Sequence, residues 1–243
     1  AAGLTLPQAT AVLRELAALH SVWLGAERSP VRAMSTADLA AKHDKHCSLE
    51  ALEAFAAHFC ADCAADDRAA FGEATELVLR HGPGRLLQAA LAGCTLTLNH
   101  GDIHPGNLMV RADAELRFVD FGDIVWTSPA YDVQQCLACC LEPNVRRAEE
   151  AALLRVYSDE MRRQPSWDDE AFALAVRSLG ALSCMQIAAW FGAEKRRRQG
   201  DGGTGGDLLD GTAQPLARRL VAMVADGARA LQQLAQGLTA GDA

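Results

Sequence analysis

Behind Pro7, the residues Leu13, Leu16, Leu19, Val22 and Trp23 recur at helical spacing. They predict an amphipathic helix from Pro7 to about His20, broken by the stretch from Gly25 to Pro30. Leu39 to Ala65 and Ala70 to Leu91 read as one or two helices each, interrupted near Asp66-Asp67 and at Gly82-Pro83-Gly84. Further helices are expected at about 132–141, 146–163, 168–192 and 213–236, with Ser166 or Asp168 placed to cap the third. One stretch departs from this rhythm. Leu108-Met109-Val110 reads as a short strand, Ala112 to Glu115 as a turn, and Leu116-Arg117-Phe118-Val119 as the returning strand. The pattern is a mostly helical chain with one short hairpin and no internal repeat.

The hairpin carries the chemistry. Directly before it stands His100-Gly101-Asp102-Ile103-His104-Pro105-Gly106-Asn107, and directly after it Asp120-Phe121-Gly122-Asp123. Asp102 and Asn107 are five residues apart, and Pro105-Gly106 can turn the backbone so that both side chains aim at one point. The hairpin then returns Asp120 beside Asn107. A carboxylate, an amide and a second carboxylate so placed suit phosphoryl transfer, which asks of a protein mainly orientation of a hydroxyl and a grip on Mg²⁺. Asp102 would orient the substrate hydroxyl or accept its proton, and Asn107 and Asp120 would offer hard oxygen ligands to the metal.

With these residues in place, the stretch from Leu98 to Leu141 resembles the catalytic core of the aminoglycoside phosphotransferase and choline kinase-like superfamily, particularly its ecdysteroid kinase-like branch. The resemblance rests on HGDIHPGN, on VDFGDIVW with Ser128-Pro129 following, and on Tyr131-Asp132-Val133 opening a helix. Weaker similarity covers Arg14 to His20 and Gly206 to Leu234. The resemblance implies a protein-kinase-like fold of the α+β class, present as its mainly helical carboxy-terminal lobe with a short catalytic β-hairpin. It implies an ATP-dependent, Mg-assisted phosphotransferase acting on the hydroxyl of a small molecule. Asp102 is then catalytic, Asn107 and Asp120 hold metal and nucleotide, and His100 and Asp132 give structural support to the loop. His104 stands where protein kinases carry a lysine near the transferred phosphate. A protonated imidazole could stabilise developing charge there, or the ring could simply hydrogen-bond the backbone.

Departures from the pattern narrow the reading. Gly101 stands where a protein kinase would normally carry arginine. Only eleven residues separate Asp120 from Asp132, too few for a regulated activation segment, so small-molecule acceptors fit better than proteins. Gly122 replaces an acidic or amide residue common in relatives, which leaves open whether Asp123 takes over its metal-site function. The three lysines, Lys42, Lys45 and Lys195, sit in no strand-like run, and the chain begins Ala1-Ala2-Gly3. The expectation is a carboxy-terminal lobe alone, with an absent amino-terminal lobe that would pack on the catalytic face. A noncatalytic kinase-like scaffold or an inactive truncated fragment is the alternative.

Composition mostly excludes. The 243 residues, half of them hydrophobic, can bury one substantial core, so residues 1–243 read as one domain with a catalytic core at 98–141. A net charge of −8 argues against nonspecific nucleic-acid binding, and Arg196-Arg197-Arg198 reads as a solvated helix end. The charge-free stretch from Ser178 to Ala193 is short for a membrane span, no signal peptide is visible, and a cytoplasmic location is expected. Gly200-Asp201-Gly202-Gly203-Thr204-Gly205 fits a phosphate-loop pattern literally, but no strand leads into it, and a flexible linker over about 199–206 is the better reading. Cys60 and Cys63 form C-x₂-C with His43, His46, Cys47 and His58 upstream; free thiols are preferred over structural zinc. Cys136, Cys139 and Cys140 read as an apolar helix face. Trp23, Trp126 and Trp190 are assigned to packing, with a substrate cleft as the other use.

Overall fold

Thr5 starts the first helix with a reciprocal cap: its backbone N–H donates to Gln8 Oε1 at 2.9 Å, and its hydroxyl accepts the Gln8 N–H at 3.4 Å. The computed structural model describes residues 3–110, 116–200 and 206–241. Helix α1, Leu6–Trp23, follows that cap and buries Val12, Leu13, Leu16 and His20 along one face. Ser35 and Asp38 cap α2, Thr36–His46, in the same way, and Ser48 caps α3, Leu49–Phe59. Helices α4, Ala65–His81, and α5, Pro83–Leu91, meet at Gly82.

The expected break at Asp66-Asp67 is a correction. Both aspartates lie in the first turn of α4, where negative charge is favoured by the exposed N–H groups, so they start a helix. The breaks fall instead at Cys47-Ser48 and between Phe59 and Ala65. Four helices thus stand where two to four were expected.

Two small sheets follow. Strand β1, Thr97–Asn99, pairs antiparallel with β4, Val125–Thr127, and β2, Leu108–Val110, pairs antiparallel with β3, Leu116–Phe118, in the register Leu108↔Phe118. The β2–β3 pair is the expected hairpin, whose turn lies outside the described residues. The β1–β4 pair is additional; three-residue strands carry too little alternation to be read from sequence.

Helix α6, Ala130–Cys140, is buried along its whole length, on every face. It packs against α1, against α7, Pro143–Met161, and against the long helices α8, Asp169–Gly200, and α9, Gly206–Gly241. Cys136 and Cys140 are therefore core, as is Asp132. Both long helices overrun their expected ranges. Glu194 pairs with Arg197 and Arg198 at 2.7 and 2.6 Å, so the charged run continues α8. Of the linker expected over about 199–206, residues 201–205 lie outside the described residues, while Gln199 and Gly200 end α8 and Gly206 begins α9. Asp168 Oδ1 accepts the N–H groups of Glu170 and Ala171 at 2.9 and 3.0 Å and caps α8.

Helix α8 is the spine of the bundle, contacting α3, α6 and α9. A Cβ on Gly192 would collide with the Ala51 carbonyl of α3, so glycine lets the two backbones meet. By length and composition α8 passes as a membrane span, with mean hydropathy 1.5 in its best window, more than Ser178–Ala193 suggests. That window is 72% buried inside the bundle, as in a core helix. Among the described residues, no three His, Cys, Asp or Glu side chains converge as a metal cluster around Cys60 and Cys63.

Candidate active site

The catalytic-type loop is held from beneath by α6. Asp132, fully buried in the first turn of that helix, accepts the backbone N–H of His100 at 2.6 Å and of Gly101 at 2.9 Å. One turn on, Gln135 accepts the Ile103 N–H at 2.8 Å through Oε1 and donates to the Gly101 carbonyl at 3.1 Å through Nε2. Together the two side chains satisfy four backbone groups that burial would otherwise leave costly.

A second support comes from α1. His20 Nε2 lies 3.2 Å from Asp132 Oδ2, and its Nδ1 lies 2.7 Å from the Tyr157 hydroxyl. A proton on Nε2 faces the carboxylate, so Nδ1 accepts from tyrosine. Burial, reinforced by Asp132, pushes the Tyr157 phenol well up and keeps it a donor. Thr97 ties the same helix to β1 by donating to the His20 carbonyl at 2.7 Å. His20, Gln135 and Tyr157 were not singled out from sequence as site residues. Only the spacing of Gln135, three residues after Asp132 on one helix face, could have pointed to it.

His100 is buried, with Nε2 2.9 Å from the Val119 carbonyl and Nδ1 accepting the Asp102 N–H at 3.3 Å. Its ring packs on Phe121 at 4.5 Å and Phe118 at 5.8 Å. It therefore spans the space between the loop and the returning strand. Gly101 adopts φ 89°, and a Cβ there would run into the Asp123 carbonyl. An arginine at this position would meet both obstacles.

One edge of the loop is a cluster of three side chains. Asn107 Nδ2 donates to the Asp102 carbonyl at 3.0 Å and to its Oδ2 at 2.9 Å. His104 Nε2 lies 3.3 Å from the same Oδ2, while its Nδ1 accepts the Gly106 N–H at 3.1 Å. The imidazole thus satisfies the loop backbone and also faces the carboxylate. Its hydrogen bond holds the Asp102 carboxyl below the usual range, with Asn107 adding to this and burial opposing it. Reciprocally, Asp102 raises the His104 imidazole, against burial and with help from Asp120.

Asp120 stands alongside, because Val119 N–H donates to the Asn107 carbonyl at 3.0 Å. Among the described residues it is the one non-glycine residue with positive φ, 62°, and its side chain is exposed. A Cβ at Gly122 would sit 3.2 Å from Asp120 Oδ1, tighter than ordinary contact, so glycine leaves that carboxylate room. Asn107 keeps Oδ1 free of the bonds its amide nitrogen makes, and with the Asp120 carboxylate it offers two hard oxygens of the kind Mg²⁺ prefers. Asp123 instead lies 3.6 Å from Lys42 of α2.

The loop forms one wall of a cleft of about 680 Å³. Tyr131, Gln135 and Cys139 of α6 line it together with Ile187, Trp190 and Phe191 of α8 and Leu216 of α9. Trp190 is 49% exposed there, which places it in the cleft and overturns its assignment to packing. Trp23 and Trp126 are half-buried and line no part of it. Arg219 also reaches the cleft, but it donates to the Cys139 carbonyl at 2.9 Å and pairs with Glu142.

A helical domain that braces an HGD-x₄-N loop on a buried aspartate, with a second aspartate returned by a hairpin, has the organisation of kinase-like proteins. The chain belongs to the ecdysteroid kinase-like family, whose model matches residues 1–165, within the choline kinase and aminoglycoside phosphotransferase-like superfamily. The match covers α1 to α7 and the whole catalytic-type loop. None of the curated proteins compared with the chain matches it.

Proposed function

We propose that this protein takes part in ATP-dependent transfer of the γ-phosphoryl group to a hydroxyl of a small molecule bound in the 680 Å³ cleft. The observation that carries the reading is the Asp102 carboxylate, which lines the cleft and is fixed by Asn107 and His104 through one oxygen. Its other oxygen is left for an acceptor hydroxyl.

Asp102 would orient that hydroxyl and take its proton as the bond to phosphorus forms. Asn107 and Asp120 are the residues that would hold Mg²⁺, which supplies charge neutralisation at the phosphate oxygens. His104, with its proton on Nε2, stabilises the ionised carboxylate and keeps its free oxygen aimed into the cleft. Asp132, Gln135 and His20 pre-set the loop, so little reorganisation is left for the transfer step.

The cleft suits a small acceptor. Among the described residues, Asp102 and Asp123 are the carboxylates of its lining, and its cations Lys42 and Arg219 are already paired. A largely uncharged hydroxyl compound would find Tyr131, Ile187, Trp190 and Leu216 there. Among the described residues Lys42 and Lys45 lie on α2 and Lys195 on α8, so no strand lysine grips the α- and β-phosphates. The described domain accordingly supplies the acceptor and metal half of the reaction, and a lobe packing on the catalytic face would supply the rest.

The test is transfer of labelled γ-phosphate from ATP to a panel of hydroxyl compounds by the full gene product. Mg²⁺-dependent phosphorylation of an acceptor that competes for the Trp190 cleft supports the reading. Nucleotide binding without transfer to any acceptor would favour a kinase-like binding module.

A further inference from the structure

The Cys60-Ala61-Asp62-Cys63 link between α3 and α4 lies outside the transfer site, yet its two thiols are built as a pair. Cys63 N–H donates to the Cys60 carbonyl at 3.1 Å. The turn so closed keeps the two Cα atoms within about 7 Å, near the span of about 4.4–6.8 Å that a disulfide bridges. The Cys60 thiol lies 4.0 Å from the Phe55 carbonyl, and both residues are almost buried, at 4% and 7% exposure. Ala61, Asp62 and Ala64 around them are exposed, so the pair lies just beneath the surface.

Arg68 fixes this turn by donating from Nη1 to the Cys60 carbonyl at 3.3 Å and to the Ala61 carbonyl at 2.9 Å. The pair is also asymmetric. The neighbouring Cys60 thiol lowers the Cys63 thiol against the effect of burial, and Arg68 and Arg218 add to the lowering. The neighbouring Cys63 thiol and burial push the Cys60 thiol up. Cys136 and Cys140 are also neighbours but sit four apart on α6, where helix geometry holds Cβ atoms about 5–6 Å apart, too far for a disulfide without unwinding.

We propose that Cys60 and Cys63 form a reversible dithiol–disulfide site, oxidised by a low-molecular-weight disulfide and reduced by the corresponding thiol. Cys63 thiolate attacks one sulfur of the incoming disulfide, forming a mixed disulfide and expelling a thiolate that takes up a proton. Cys60 then loses its proton and attacks the Cys63 sulfur, expelling the second thiol. Two electrons and two protons pass from the protein to the reagent, which leaves as two thiols. The change is placed to reach the cleft: Phe59, next to Cys60, meets Phe191 edge-on at 6.3 Å, and Phe191 lines the cleft wall.

Native protein equilibrated with stepped ratios of oxidised to reduced glutathione, quenched with acid, alkylated and mapped by mass spectrometry tests this. The expected result is loss of two hydrogens on a Cys60–Cys63 peptide, reversed by reduced glutathione. Cys60→Ser should then trap glutathione on Cys63, and Cys63→Ser should leave Cys60 unmodified. The proposal is overturned if all eight thiols stay free in native protein at every ratio, or if the disulfide formed joins other cysteines. The wild-type map decides the matter even where a variant fails to fold.

Discussion

His104 Nε2 lies 3.3 Å from Asp102 Oδ2, and the two groups shift each other in opposite directions. The Asp102 carboxyl is lowered from its model-peptide value of 3.8, and the His104 imidazole is raised from 6.5. A lowered carboxylate contributes stability above 3.8 that is lost as pH falls through its folded value. A raised imidazole contributes stability below 6.5 that is lost as pH rises through its folded value. Both contributions overlap between these two values.

His104→Gln should therefore melt below the parent chiefly between pH 3.8 and 6.5. The gap should narrow on either side. Both groups are half-exposed, so the effect is modest. Thermal melts across pH check it, and a gap independent of pH would contradict the pairing.

Asp132→Ala should destabilise the fold by about 3–5 kcal/mol, because it strips the acceptor from two buried N–H groups and from His20. Asp132→Asn keeps an acceptor oxygen and should cost less. Urea denaturation gives both numbers. An alanine variant as stable as the parent would remove Asp132 from its bracing role.

How much of this was legible beforehand depended on range. Local signals carried well: the hairpin from its paired apolar triplets, α1 from Pro7 and its leucines, α6 from Tyr131-Asp132-Val133. Asp66-Asp67 was misread because acidic pairs occur in loops and in first helical turns alike, and only the packing of the face formed by Phe71, Ala74 and Val78 decides. Helix α8 ran on past 192 because Glu194 faces Arg197 and Arg198 along its surface, a pairing that a hydrophobic pattern ignores. His20 and Tyr157 act on side chains far away in sequence, so no local pattern marks them, and Gln135 is hinted at only by its spacing from Asp132 on one helix face. Trp190 reads as core by chemistry, and only its place across the cleft from Tyr131 and Leu216 makes it a cleft wall.

Asn107→Ala and Asp120→Ala should each weaken Mg²⁺-nucleotide binding by at least about tenfold, about 1.4 kcal/mol, since each deletes a hard oxygen ligand. Calorimetry with and without Mg²⁺ separates this from loss of nucleotide contacts. Unchanged Mg²⁺-dependent affinity in both variants would place the metal elsewhere.

Trp190→Ala should raise the acceptor KM about tenfold or more while leaving kcat within a few-fold, because the ring offers apolar contact to bound acceptor away from the reacting atoms. Steady-state kinetics at saturating ATP distinguish the outcomes. A fall in kcat with KM unchanged would move Trp190 out of the acceptor wall.

The central claim is that Asp102 serves the hydroxyl and not the nucleotide. The direct measurement compares the parent with Asp102→Asn in the full gene product, following γ-phosphoryl transfer and MgATP binding side by side. Transfer should fall by about 10²–10⁴-fold while MgATP affinity stays within a few-fold of the parent. Equal transfer rates in the two proteins would contradict the account.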